Sequence, residues 1–159
     1  MSLVNPTDKT NSVKYFTRYA GKTKMGEVTL TASVAAVDGS ILYPDPSNAG
    51  QYTIADSTAG GNFVVIRETI ASTDANYAST KRVAVAIATE ANVEWNFLVG
   101  SGTFTAADVG KYCDLVDEKS VAVDTQSKNV IFITGVTSST QGRCVFSGNV
   151  TGYALPATT

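Results

Sequence analysis

Histidine is absent from this chain, and cysteine occurs only twice. The first absence removes Ser-His-Asp and Cys-His catalytic devices, together with the commonest transition-metal ligand. The second leaves too few thiolates for a structural zinc site. No apolar run approaches the ~20 residues that a membrane-spanning helix needs. Charge is also scarce, at 16% of residues against roughly 25% in soluble domains, and a surface so poor in charge suits a protein partly covered by partners. Gly60-Gly61 and Gly100-Ser101-Gly102 open no strong helical pattern, so neither reads as a phosphate loop. Fourteen carboxylates are present, but nothing singles out a pair for acid–base work. The expectation is a protein that is not an enzyme and needs no cofactor and no metal.

What the sequence has in excess is β-branched side chains. Valine occurs 19 times against 6 leucines, and threonine 21 times, which favours pleated strands over helices. At 159 residues, one domain is expected. Alternating segments over residues 13–19, 26–34, 51–55, 62–70, 82–88, 93–99, 111–116, 120–125, 129–136 and 143–150 are separated by polar, glycine-containing turns. They predict an all-β, single-domain sandwich or barrel of about 8–10 short, mostly antiparallel strands with an extended N-terminal arm. The arm covers 1–12, the β domain 13–152 and a loose tail 153–159. Residues 43–50, with Pro44 and Pro46, read as a long surface loop because proline blocks ladder pairing. Residues 129–136 are apolar on both faces, as in a central strand or one that faces a subunit neighbour. No internal repeat is visible.

The stretch from Val93 to Val116 organises the rest. Val93, Trp95, Phe97 and Val99 share one face of an extended chain, while Glu94 and Asn96 face away. After Gly100 and Gly102, Thr105 and Asp108 have the spacing of a capping box, and Gly110 suits the left-handed residue that closes so short a helix.

The net charge of −2 is unevenly distributed. Residues 1–24 carry five cations against Asp8 alone, a net of +4, whereas the remainder carries seven against thirteen, a net of −6. The basic segment is too sparse for a nucleic-acid arm, so it reads as a solvated strand face or a contact with an acidic protein surface. Cys113 and Cys144 alternate in phase with Leu115 and Phe146, as small buried hydrophobes do. No secretory leader pattern precedes them. Asp114, Asp117 and Glu118 fall near a strand end without the spacing of a calcium loop, so a solvated turn is expected there.

The run Gly102-Thr103-Phe104-Thr105-Ala106-Ala107-Asp108-Val109-Gly110-Lys111-Tyr112-Cys113-Asp114-Leu115, with Asp124-Thr125 after it, resembles a phrase common in small β-rich head proteins of tailed bacteriophages. Those proteins decorate, or cement, the outside of the capsid, commonly as trimers. The resemblance implies a non-enzymatic virion protein, assembled in the host cytoplasm, that binds the major capsid protein and stabilises the lattice. It implies a homotrimer, with neither nucleic acid nor membrane as partner. It carries no catalytic residues across. The arm is the expected capsid contact, with Leu3 and Val4 supplying apolar contact and Lys9, Lys14 and Arg18 attraction to carboxylates. The alternative is a carbohydrate- or receptor-binding β-module whose Tyr43, Tyr52, Tyr77 and Tyr112 stack on sugars; the competing reading of those tyrosines is strand packing.

Overall fold

The computed structural model describes residues 15–90 and 93–147. The fold is all-β. Eleven strands are β1 (Thr17–Ala20), β2 (Met25–Leu30), β3 (Ile41–Pro44), β4 (Tyr52–Ile54), β5 (Val64–Ile66), β6 (Lys81–Ile87), β7 (Glu94–Ser101), β8 (Tyr112–Leu115), β9 (Ser120–Ala122), β10 (Ile131–Ser138) and β11 (Gln141–Phe146). Among the described residues their helical companion is a 3₁₀ turn at Ala106–Asp108. The extra strand relative to expectation is β3, which lies partly in the stretch read as a loop. Pro44 ends that strand opposite Tyr52, where a missing donor does little harm to the ladder.

The strands close into two five-stranded barrels. In the first, neighbours run β2-β4-β3-β5-β6 and back to β2. In the second they run β7-β9-β8-β10-β11 and back to β7. Each barrel has one parallel pairing, β2 with β4 and β7 with β9, and all other pairings are antiparallel. The stagger is also shared. If the parallel pair Leu30–Tyr52 is placed on Val99–Val121, then Pro44–Tyr52 falls on Leu115–Val121 and Leu42–Val64 on Cys113–Ile131. Continuing round, Ile66–Val85 falls on Ile133–Cys144 and Val28–Val83 on Phe97–Gly142. The circuit closes, so the two barrels agree in strand number, order, polarity and register. A repeat that the sequence does not display is therefore present in the backbone.

Identity hides the repeat because the interior volumes have been exchanged. Gly26 of the first barrel occupies the place of Trp95 in the second, and Val83 occupies that of Gly142. A side chain at Gly142 would meet the rings of Phe97 and Phe104, each 2.6 Å from an added Cβ. Those rings, packed 5.5 Å apart, fill the space that Val83 fills in the first barrel.

Alternation along β3 and β5 joins the barrels. Leu42, Val64 and Ile66 point into the first barrel with Leu30, Val83 and Val85. Ile41 and Val65 face the other way, into a larger core that includes Trp95, Phe97, Cys113, Leu115, Ile131, Ile133 and Cys144. Phe146 packs between Phe16 and Phe63, at 5.9 and 5.4 Å. Main-chain bonds cross the same junction, with Ile41 N–H donating to the Glu118 carbonyl at 2.9 Å. β10 is an interior strand between β11 and β8, with Ile131 and Ile133 in the core and Phe132 stacked on Tyr112 at 5.1 Å.

The central stretch is arranged as expected. Val93, Trp95 and Phe97 are buried, Val99 packs against the same core, and Trp95 Nε1 donates to the Ala88 carbonyl at 3.2 Å. On the opposite face, Glu94 accepts from the Thr134 hydroxyl and Asn96 donates to the Thr17 hydroxyl. The Thr105 hydroxyl accepts from Ala107 N–H, two residues on, while the Asp108 carboxylate accepts from Thr105 N–H. Gly110, at φ +88°, closes the turn.

Trp95→Ala is expected to cost roughly 3–5 kcal/mol, as large core truncations do. Denaturant unfolding measures it, and a midpoint equal to wild type would contradict the burial. Gly142→Ala is expected to cost roughly 1–3 kcal/mol by overpacking against Phe97 and Phe104, whereas Gly61→Ala, with open space around its Cβ but φ +101°, should cost about 1 kcal/mol from the backbone alone. The same unfolding experiment separates the two.

Candidate docking surface

Closed five-stranded barrels are filled by their own side chains and leave no lumen for a ligand. The interior titratable groups bear this out. Cys113 and Cys144 are buried thiols; burial pushes Cys113 up to about 12, with Asp114 and Asp108 adding to the effect, and raises Cys144 well above the ordinary thiol range. Both are protonated at neutral pH and unsuited to nucleophilic work. Among the described residues no group of three or more His, Cys, Asp or Glu is placed to hold a metal ion.

The three acids near the end of β8 do not act together. Asp114 is buried rather than solvated, contrary to expectation, and its carboxylate accepts from Ser127 N–H at 2.9 Å, Ser127 hydroxyl at 2.6 Å, Lys128 N–H at 2.8 Å and Asn129 N–H at 2.7 Å. It staples the loop between β9 and β10, including Asn129 at φ +55°. Burial by itself would raise its pKa, but the bonds from Ser127, Asn129 and Lys128 outweigh that and hold it below the ordinary carboxylate value. Asp117 caps its own turn through Lys119 N–H and the Ser120 hydroxyl, and Glu118 pairs with Lys119 at 3.7 Å.

The four tyrosines considered for sugar stacking are engaged in packing. Tyr43 and Tyr52 pack against the two cores, Tyr77 packs on the first barrel and donates to the Ser33 carbonyl at 2.8 Å, and Tyr112 stacks on Phe132. A cleft of about 390 Å³ lies beside Phe63 and Phe146, walled by Gly61, Asn62, Thr89, Val130 and Ser147. It carries no charged side chain.

A different surface stands out at β1. Every other described strand has at least two neighbours; among the described residues β1 pairs only with β7, along Glu94–Asn96, while β9 takes the same edge of β7 further on. Tyr19 is skipped in the register between Arg18 and Ala20, a bulge, and its ring lies under the Arg143 guanidinium at 4.6 Å. Tyr19 is 50% exposed and Met25 56% exposed, the two largest such values among the exposed large hydrophobics. Arg18, Lys22 and Lys24, in the same short sequence segment, are also exposed, and residues 15–26 contain no carboxylate. Of the expected contact residues, Arg18 therefore lies on this surface, its guanidinium donating to the Gly21 carbonyl at 2.6 Å. Leu3, Val4, Lys9 and Lys14 lie outside the described residues. The exposure of Tyr19 and Met25 was not legible, since an alternating strand gives no sign of which edge stays open. No protein-family model matches the chain, and neither a curated protein nor a solved structure matches it.

A group whose folded pKa is depressed stabilises above its unfolded pKa, about 3.9 for Asp, and loses that contribution as pH falls through the folded value. Asp114→Ala is expected to cost roughly 2–4 kcal/mol near neutrality, because three main-chain donors lose their partner. Denaturant midpoints from pH 7 down to about 2 should show the gap between wild type and variant narrowing below about pH 4. A gap independent of pH would rule out the carboxylate as its source.

Proposed function

We propose that this chain is a non-enzymatic structural protein that binds the outside of a tailed-phage capsid lattice and stabilises it. The observation that carries the proposal is the segregation of docking features. Beside its two closed barrels, the chain has its open strand, its most exposed apolar side chains and a carboxylate-free run of cations in one segment, residues 15–26. The resemblance of residues 102–115 to head-protein sequences names the partner class, the major capsid protein. In this reading the segment 1–25 grips a capsid subunit and the barrels form a stiff cap. Copies associate as a homotrimer, and stabilisation comes from surface buried across subunit junctions, with no bond made or broken. The packed state of Tyr43, Tyr52, Tyr77 and Tyr112 favours this over a sugar-binding module.

Deleting residues 2–12 is expected to leave the melting temperature nearly unchanged and to weaken capsid binding sharply. Ordering such an arm costs ~1–2 kcal/mol per residue, so its contact must be continuous. Attachment should loosen with salt, because partly exposed charge pairs are screened. Co-sedimentation with capsid shells measures both effects. Full binding by the truncated protein at every salt concentration would sink the arm's role, and a wild-type protein that fails to bind shells would sink the reading itself.

A further inference from the structure

We propose that the open edge of β1 accepts an extended, acidic segment of another protein as an added strand. The geometry supplies the template. β1 is extended, paired on one side only, and its outer main-chain groups over Thr17–Ala20 face no other described strand; the neighbouring Phe16 N–H is already donated to the Gly39 carbonyl at 3.0 Å. An exposed edge of this kind binds by main-chain hydrogen bonds, while flanking side chains set the choice of partner.

The flanking side chains select by charge. A second β1 would bring Arg18 against Arg18 with no carboxylate anywhere in 15–26 to offset it, so pairing between two identical edges is repelled. Elsewhere the longest stretch left unpaired on one side is Met25–Thr29 of β2, which offers a single carboxylate, Glu27, close in sequence to Lys22 and Lys24. The remaining stretches, 1–14, 91–92 and 148–159, hold one carboxylate between them, Asp8, beside Lys9 and Lys14. The acidic strand must therefore come from a different protein. Arg18, Lys22 and Lys24 would meet its carboxylates. The bulge at Tyr19 shortens the template, which limits indiscriminate pairing. Three cations are too few to neutralise a nucleic-acid backbone. If the capsid reading holds, the donor is a capsid subunit; the site itself does not depend on that reading.

The test uses hydrogen exchange on the full chain with a synthetic peptide alternating Glu with Val and Thr, and with its Lys counterpart. The acidic peptide is expected to slow exchange at Thr17–Ala20, and the basic one to leave it unchanged. Lys22→Glu with Lys24→Glu should weaken peptide binding roughly tenfold or more with the melting temperature kept, since both side chains are exposed. Should that variant misfold, raising salt to about 0.5 M on the wild-type protein must weaken binding instead. Unchanged exchange at β1, equal binding of both peptides, or affinity indifferent to both charge reversal and salt would overturn the proposal. So would preferential protection of β1 by duplex DNA or phosphatidylglycerol vesicles. Capsid co-sedimentation run alongside keeps the two readings apart. Shell binding without β1 protection removes the strand site alone, and β1 protection by the peptide without shell binding removes the capsid reading alone.

Discussion

Strand β5 and the first half of β3 are buried on both faces, and the side turned away from their own barrel is as apolar as the side turned in. Ile41 and Leu42 are adjacent in sequence yet belong to two different cores. A lone first barrel would therefore expose Ile41 and Val65 to water, at roughly 1.5–3 kcal/mol for each large side chain left uncovered. The second barrel covers them, and Phe16, Phe63 and Phe146 close the junction. This shared seam makes the two barrels one folding body and sets which faces remain for anything else.

Closure then decides where function can reside. Five strands wrapped on themselves fill their interior with their own side chains, so the surfaces left for recognition are outer ones. Several of the described acids serve the fold's own backbone, most clearly Asp114 on the loop between β9 and β10. The thiols are sealed in the interior. What stays available is β1, held against β7 only where β9 does not reach. Its cations discourage self-pairing and, by the same physics, favour an acidic partner.

The sequence by itself determined the local conformations. Period-2 alternation placed Trp95 and Phe97 on one buried face, the Thr105–Asp108 spacing produced a capped turn, and phase with Leu115 and Phe146 put both cysteines inside. Each of these depends on neighbours within a few residues, which is what alternation and capping encode. The β3 strand escaped because Pro44 reads as a ladder breaker until its place at the strand's end is known. Asp114 read as a turn residue because its partners, Ser127 to Asn129, come together with it only after β8, β9 and the following loop are folded. Tertiary structure alone decided the doubled barrel and the open edge. The repeat resides in hydrogen-bond register, which is blind to side-chain identity, so exchanging Gly26 for Trp95 or Val83 for Gly142 keeps the pairing and erases the likeness. β1 finds room on β7 because β9 covers only Leu98–Ser101 of the same edge, a division between strands far apart in sequence that no local pattern records.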